Sequence, residues 1–165
     1  MSADEVTIRP AGPPDLEAVL RLRVAMLREV GGLGDETRAP ELIGANRRYL
    51  EARLPTGQYL AWLAELGGHP VAVAGLIPFE RPPTGDNPVG LEGYVLNMYT
   101  APAWRRRGLG ARLLEKTIEY VRARGGRRLW LKATPAGRPV YERAGFVVIG
   151  GAARPDGTAE MELVW

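Results

Sequence analysis

The chain has 165 residues, of which 45% are hydrophobic and 25% are charged, and it carries a formal net charge of +3. This length and composition are typical of one globular domain with its own core, so we expect residues 1–165 to form a single domain. Without cysteine the chain has no disulfide, no thiolate nucleophile and no cysteine-ligated zinc. The lone histidine, His69, and the lone serine, Ser2, argue against a Ser-His-Asp triad and exclude a histidine-rich metal site. An all-carboxylate site stays open, but no spacing of Asp and Glu suggests one, so we expect no metal.

Neither an export signal nor a membrane span is apparent. The start, "MSADEVTIRP", is acidic and lacks an apolar core, and the longest apolar run, "VAVAGLIPF", is too short to cross a bilayer. The three arginines of "WRRRG" alone account for the small positive charge, whereas a nucleic-acid binder has a broad basic face. We therefore expect a cytoplasmic protein without nucleic-acid or membrane partners.

The first 80 residues predict a strand, two helices and a β-hairpin. Residues 6–9 form a short strand, and "PPDLEAVLRLRVAMLREVGG" follows as a helix with prolines at its entry and glycines at its exit. Its apolar stripe is Leu16, Val19, Leu20, Val24 and Leu27. "PELIGANRRYLEARL" predicts a second helix, and residues 58–66 and 71–80 predict two strands joined by "GGHP".

The rest of the chain predicts strands that alternate with helices. A long loop, "RPPTGDNPVG", leads to the strand "LEGYVLNMYT" and then to a helix over about residues 108–124. "RRLWLKA" predicts a strand, "GRPVYERAG" a short helix, and "FVVIG" and "AEMELVW" the last strands. The stripe of the long helix is Leu109, Leu113, Leu114, Thr117, Ile118 and Val121. The order βααβββαβαββ predicts a mixed α/β fold of six to seven strands and about four helices.

The stretch "WRRRGLGARLL", residues 104–114, places arginines and glycines between a strand and a helix. The first turn of a helix offers unpaired N–H groups and a positive dipole end, and glycine lets a ligand approach the backbone closely. This arrangement favours binding of phosphate oxygens. No Gly-Lys-Ser/Thr follows, as a Walker loop requires, and Leu113 stands where a dinucleotide fingerprint has its third glycine.

Two motifs together resemble the GNAT superfamily of acetyl-CoA-dependent N-acetyltransferases. "Arg105-x-x-Gly108-x-Gly110-Ala111", preceded by "YTAPAW", resembles its acetyl-CoA-binding motif, and "PVYERAGF", residues 139–146, resembles its second signature. The resemblance is close over residues 91–146, and residues 1–80 agree in the order of elements. It implies a GNAT-like central sheet and acetyl-CoA as the acyl donor.

The resemblance also implies where the coenzyme lies. The amides of the turn would hold the pyrophosphate, with arginine side chains adding charge, and the strand end would bind the pantetheine arm in a gap beside the next parallel strand. Thr134, which stands where many members have asparagine, would bond the arm through its hydroxyl. The expected coenzyme contacts are Met98, Tyr99, Thr100, Arg105, Arg106, Arg107, Gly108, Leu109, Gly110, Ala111, Thr134 and Tyr141.

The implied reaction is direct attack of an amine on the thioester, without an acyl-enzyme. The N–H of Met98 would donate to the thioester carbonyl, and Tyr141 would protonate the departing thiolate as general acid. Family members often have a carboxylate on this strand as base, and Glu92 is the candidate here because a period of two places it on the face of Met98. Tyr94 and Asn97 are further polar candidates, although Asn97 should face the other way.

The acceptor amine stays open at this stage. In the family it is selected by the first two helices and by the loop before the coenzyme-binding strand, here residues 23–38 and 81–90. The first segment carries charges of both signs, which suits a zwitterionic amine among others. We expect a small-molecule amine. The sequence leaves open two other acceptors, a protein N-terminus and a lysine side chain, and also a non-catalytic role as an acetyl-CoA sensor. It also leaves open whether the protein is a homodimer.

Overall fold

A computed structural model of the protein describes residues 5–151 and 153–165, which form a seven-stranded sheet in the order β1-β2-β3-β4-β5-β7-β6. The strands are β1 (Val6–Pro10), β2 (Leu60–Leu66), β3 (His69–Glu80), β4 (Leu91–Thr100), β5 (Arg128–Ala133), β6 (Val147–Val148) and β7 (Ala159–Val164). The helices are α1 (Leu16–Glu29), α2 (Ala39–Arg53), α3 (Leu109–Ala123) and α4 (Arg138–Arg143). The predicted order of elements and the mixed α/β fold are thus confirmed.

The helices cover both faces of the sheet. On one face α3 packs its buried stripe against β2, β3, β4 and β5, and Tyr141 of α4 joins the same core. On the other face α1 and α2 bury a second core that includes Tyr59 and Leu63. β4 and β5 are parallel, and α3 is the crossover between them, whereas β1 to β4 pair antiparallel in sequence order.

Several predicted elements differ in detail from those observed. His69 was expected in a turn but opens β3, because Gly67 and Gly68, both at positive φ, make the hairpin turn by themselves. The predicted strand "FVVIG" is shorter than expected, since β6 contains only Val147 and Val148. In α1, Leu22 is buried in addition to the predicted stripe because this helix contacts both the sheet and α2. None of the helices within the described ranges is long and apolar enough to span a membrane.

A β-bulge interrupts β4 near its end. Gly75 of β3 pairs with Leu96, and Val73 pairs with Tyr99, so Asn97 and Met98 together oppose a single residue of β3. Asn97 has a φ of 54°, in the left-handed region that asparagine tolerates better than most residues. Its Nδ2 donates to the hydroxyl of Tyr59 at 3.1 Å. The parallel pairing of β4 with β5 ends at Val95, so the two strands diverge from the bulge onwards.

The bulge makes one sequence prediction wrong. Its extra residue shifts the alternation of side chains, so Met98 packs with the core on the α3 side together with Val95, whereas Leu96 packs with the core under α1 and α2. Glu92 belongs to the alternating set of Leu96. Glu92 and Met98 therefore lie on opposite faces of the sheet, while the expectation that Asn97 faces away from Met98 holds, since it bonds Tyr59 on the α1 side.

Candidate functional site

The loop between β4 and α3 presents a row of free backbone donors. A short 3-10 turn at Pro102–Trp104 turns the chain, Arg106 and Gly108 adopt positive φ of 60° and 75°, and α3 begins at Leu109. Within the part of the chain that the structure describes, the N–H groups of residues 106–111 have no protein acceptor, and no side chain caps the helix. Such a nest of N–H groups at the positive end of a helix dipole binds anions.

The space in front of this row is open. A Cβ built on Gly108 or Gly110 would meet no protein atom within 4 Å. Leu109 between them is 2% exposed and anchors the first turn of α3 in the core. The backbone is thus fixed from behind and accessible from in front, which is the geometry that a phosphate ligand needs.

The three arginines of the loop have different surroundings. Arg105 donates from Nε to the carbonyl of Thr100 at 2.9 Å and from Nη2 to Glu29 of α1 at 2.6 Å, and it lies over the ring of Tyr99. Glu29 and the phenol of Tyr99 raise the pKa of Arg105, with the Glu29 hydrogen bond as the main cause. The Arg105 side chain is thus occupied within the protein.

Arg106 and Arg107 are exposed, and Arg107 lies over the Trp104 ring at 4.6 Å. Neither forms an ion pair with a carboxylate in residues 5–151 and 153–165. These two arginines are consequently the ones whose charge is available to an anion at the turn.

The gap between β4 and β5 begins where the row of donors ends. Met98, Tyr99 and Thr100 lie on the free part of β4, past the last pair with β5. Met98 is half-buried on the α3 side, and Tyr99 is half-buried on the α1 side. Thr100 pairs with Ala72 of β3 and accepts from Arg105. The backbone of β4 therefore offers an unpaired edge to an extended ligand arm.

Tyr141 lies on α4, the element after β5 in the chain, and belongs to the core against which Met98 packs. Its ring is 8% exposed and packs edge-on against Phe146 with centroids 6.0 Å apart. Burial, reinforced by the neighbouring phenol of Tyr94, raises the pKa of Tyr141 to about 12. A Cβ on Gly137 would come within 3.3 Å of the Tyr141 ring, so the glycine leaves room beside it.

Thr134 lies at the entry of α4. Its hydroxyl accepts from the N–H of Gly137 at 3.2 Å, and its carbonyl accepts from Arg138 at 2.9 Å. Thr134 thus shapes the turn that carries Tyr141, and as an exposed residue it keeps a hydroxyl proton for a ligand.

Tyr94 lies on the part of β4 that is still paired with β5, opposite Trp130. It is half-buried, and burial raises its pKa, with the Glu160 carboxylate adding to this effect. The phenol of Tyr94 adds to the raised pKa of Tyr141. The sequence marked Tyr94 only as a polar candidate, because the meeting of β4 and α4 is not visible in a local pattern.

Glu92 is not brought to this place. It lies six residues before Met98, about 20 Å away along an extended strand. Its Oε2 accepts from Trp130 Nε1 at 2.6 Å and is 3.6 Å from Arg81 Nε, and the residue is 6% exposed. The carboxylate is thus engaged at the opposite end of β4.

A cavity of about 350 Å³ opens beside the bulge, between α1, α2 and β4. It is lined by Arg23, Ala45, Asn46, Tyr49, Tyr59 and Leu96. Of the segments expected to select the acceptor, only residues 23–38 contribute here, through Arg23. Residues 81–90 instead lie at the opposite end of β4, where a larger groove of about 610 Å³ contacts none of the expected site residues. Asn46 and Tyr49 are one helical turn apart, a spacing that could have marked them; nothing local marks Tyr59.

The comparisons with known proteins agree with this geometry. A family model described as the acetyltransferase (GNAT) family matches residues 30–146, which is more than half of the chain. No curated protein matches the chain. Within the described residues, no group of three or more potential metal ligands is close enough to hold an ion.

Solved structures give the same fold. A GCN5-related N-acetyltransferase from Ralstonia eutropha JMP134 is 36% identical with a TM-score of 0.79, covering 92% of this chain and 98% of its own. A predicted acetyltransferase with acetyl-CoA from Clostridium acetobutylicum is 26% identical with a TM-score of 0.78, covering 91% and 95%. The PaiA N-acetyltransferase from Thermoplasma acidophilum in complex with coenzyme A, 18% identical with a TM-score of 0.75 and coverage of 98% and 99%, shares the fold.

Proposed function

The chain belongs to the GNAT family of acetyltransferases, and on this premise we propose that it transfers an acetyl group from acetyl-CoA to the primary amine of a small molecule. The observation that carries the proposal is the row of free N–H groups at residues 106–111, which continues into the unpaired edge of β4. A diphosphate with a long amide-bearing arm matches this combination, since the phosphates need the donors and the amides need a strand edge.

In this proposal the coenzyme is held mainly by backbone atoms. The pyrophosphate of acetyl-CoA accepts from the amides of residues 106–111, and Arg106 and Arg107 add positive charge. The pantetheine arm lies along Met98, Tyr99 and Thr100 in the gap between β4 and β5, with Thr134 at its other side. The acetyl group then lies near the bulge, beside the cavity under α1 and α2.

The chemistry is one substitution at the acetyl carbon. The amine nitrogen attacks the thioester carbonyl, the carbon–sulfur bond breaks, the nitrogen loses one proton, and the sulfur leaves and gains one. Negative charge develops first on the carbonyl oxygen, which in this proposal accepts from the N–H of Met98. It then develops on sulfur, where the hydroxyl of Tyr141 donates.

The pKa of Tyr141 determines how it helps. With a pKa raised to about 12, Tyr141 stays protonated throughout the neutral range, as a donor must. A thiol titrates near 8.5, well below this phenol, so complete proton transfer from Tyr141 to a thiolate is uphill. Tyr141 therefore acts chiefly as a hydrogen-bond donor to the sulfur in the transition state, with a moderate effect on rate.

The variant Tyr141→Phe tests this role. We expect kcat to fall on the order of 10- to 100-fold while the dissociation constant for acetyl-CoA changes little, because the bond strengthens only as sulfur gains charge. The ratio of wild-type to variant rates should be constant from pH 6 to 9, since a phenol with a pKa of about 12 does not titrate there. The measurements are thiol release over a panel of amines and peptides, and coenzyme binding by calorimetry.

Tyr120→Phe is the matched control, since Tyr120 lies on α3 and lines the groove at the other end of the sheet. Full activity in Tyr141→Phe would refute the donor role. Tight coenzyme binding by the wild type without transfer to any amine or peptide would support a sensor instead of an enzyme. Turnover of peptides alone would identify a protein acetyltransferase.

A further inference from the structure

The lining of the cavity beside the bulge carries a positive charge. Its lining contains one charged side chain, Arg23 of α1, and no carboxylate. The Arg23 side chain is half-buried and forms no ion pair with any carboxylate in residues 5–151 and 153–165. A guanidinium that is partly removed from water and lacks an anionic partner is unfavourable unless a ligand supplies the anion.

Arg23 is also oriented by its neighbours. Its Nε donates to Oδ1 of Asn46, and Nδ2 of Asn46 donates in turn to the carbonyl of Leu42 at 2.8 Å, which ties the pair to α2. The Nη1 and Nη2 atoms have no hydrogen-bond acceptor in the described part of the chain. This arrangement leaves the end of the guanidinium fork for a carboxylate, which it can bind in a bidentate geometry.

Apart from Arg23 and Asn46, the cavity is lined by aromatic and aliphatic side chains. Tyr49 and Tyr59 form an edge-on aromatic pair with centroids 5.9 Å apart, and Leu96 of β4 also lines the cavity. The hydroxyl of Tyr59 accepts from Asn97 and lies where a side chain on Gly75 would be, since a Cβ there would come within 2.4 Å. These walls fit an apolar or aromatic side chain and offer no carboxylate to a second cationic group.

We propose that the acceptor is an amino acid with an apolar or aromatic side chain, whose carboxylate is bound by Arg23. This inference rests on the proposed acetyl transfer and specifies its substrate class. Leu96, which lines the cavity, lies two residues before Met98 in β4, so a ligand in the cavity would lie next to the part of β4 that binds the acetyl group in the proposed function. Polyamines are disfavoured, because their second ammonium group would face Arg23.

The test uses matched acceptors that differ only in the carboxylate. L-phenylalanine is compared with L-phenylalaninamide and phenethylamine, and L-leucine with L-leucinamide and isoamylamine, each with acetyl-CoA at pH 8. We expect wild type to prefer the acids by roughly 10- to 100-fold in kcat/KM. A lower rate with the amide cannot be attributed to a shortage of unprotonated amine. The amine of an amino-acid amide titrates near 8, below that of a free alkyl amine, so much of it is unprotonated at pH 8.

Arg23→Gln should remove this preference by raising KM for the acids, with kcat/KM for the neutral amines unchanged. Arg23→Lys should restore part of it, since the charge returns without the fork. Arg28→Gln is the matched control, an exposed arginine on the same helix. Melting temperature and coenzyme affinity should be the same in all variants.

Equal use of acids and neutral amines by the wild type would overturn the inference and leave the acetyltransferase intact, as would an equal loss for both classes in Arg23→Gln. Failure to acetylate any amine would instead contradict the proposed function. Calorimetric titration of L-phenylalanine into the protein loaded with coenzyme A separates these two failures. Binding that Arg23→Gln abolishes would support the carboxylate site even without turnover. Absence of binding would contradict the carboxylate site.

Discussion

At the scale of single residues, Glu92 is held by partners that give it a structural role at the start of β4. Trp130 donates to it, and Arg81 lies beside it over the ring of the same tryptophan. We expect Glu92→Gln to lower the free energy of unfolding by about 1 kcal/mol, because a charge-assisted hydrogen bond becomes a neutral one. Denaturant unfolding and a pH–rate profile should then show a less stable enzyme with an unchanged profile.

The alternative for Glu92 is the role of general base that the family resemblance suggests. In that case Glu92→Gln would slow the reaction mainly at low pH, with the loss shrinking as free amine becomes abundant. Glu80→Gln is a suitable control, since Glu80 lies nearby at the exposed end of β3. Glu92 as base stays a prediction until this profile is measured.

At the scale of elements, the bulge in β4 shapes the candidate site in two ways. The pairing with β5 ends just before it, which opens the gap between the two strands, and the side chains after it switch faces of the sheet. Asn97 holds it with a φ of 54°. We expect Asn97→Gly to be more stable than Asn97→Ala by about 1 kcal/mol, because both lose the amide but only glycine adopts this φ without strain. Chemical denaturation of the two variants checks this order.

Activity should follow the same order, because the direction of the Met98 N–H depends on the bulge. Asn97→Gly should keep more of the wild-type kcat than Asn97→Ala, with similar acetyl-CoA affinity in both. If alanine proves equal to glycine in stability and rate, the backbone conformation at residue 97 does not limit the site. The matched change at a position of ordinary φ in the same strand is Leu96→Gly against Leu96→Ala, where glycine should be the worse of the two.

At the scale of the whole molecule, the turn at residues 105–111, where we propose that the coenzyme binds, joins α3, β4 and, through the Arg105–Glu29 pair, α1. Because these elements come together only in the folded state, coenzyme A should bind the folded protein and not the unfolded chain. At 100 times its dissociation constant it should then raise the free energy of unfolding by about 2.7 kcal/mol. For a chain of this size that corresponds to a rise in melting temperature of roughly 5–10 °C. Differential scanning fluorimetry with and without coenzyme A measures it, and high salt should reduce the rise by weakening the phosphate contacts.

Gly110→Glu should abolish this rise. The position has an ordinary φ and open space in front, so the fold should tolerate the side chain while its charge fills the anion site. Gly108 is less suitable for substitution because its φ of 75° strains any other residue. Gly110→Ala is the control for folding, and an undiminished rise in Gly110→Glu would place the phosphates elsewhere.

The parts of the candidate site that the sequence could indicate are local in the chain. The turn at residues 105–111 and Tyr141 before Gly145 could be named from short motifs, because each depends on a strand end, a glycine and a helix start that are neighbours in the chain. The partners of these residues could not. Glu29 engages Arg105 from 76 residues away, and Asn97 bonds Tyr59 from 38 away, and no periodic pattern connects such pairs.

The sequence by itself determined the order of elements and the glycine turn before α3, since apolar spacing, prolines and glycines act over a few residues. Only the tertiary structure decided which face each residue of β4 presents, because one extra residue in the bulge changes every later position. It also determined which residues line the cavity. Arg23, Tyr49, Tyr59 and Leu96 come from different parts of the chain, and only packing brings them together. Long-range contacts follow from the burial of whole faces, and that burial is a property of the assembled sheet and helices.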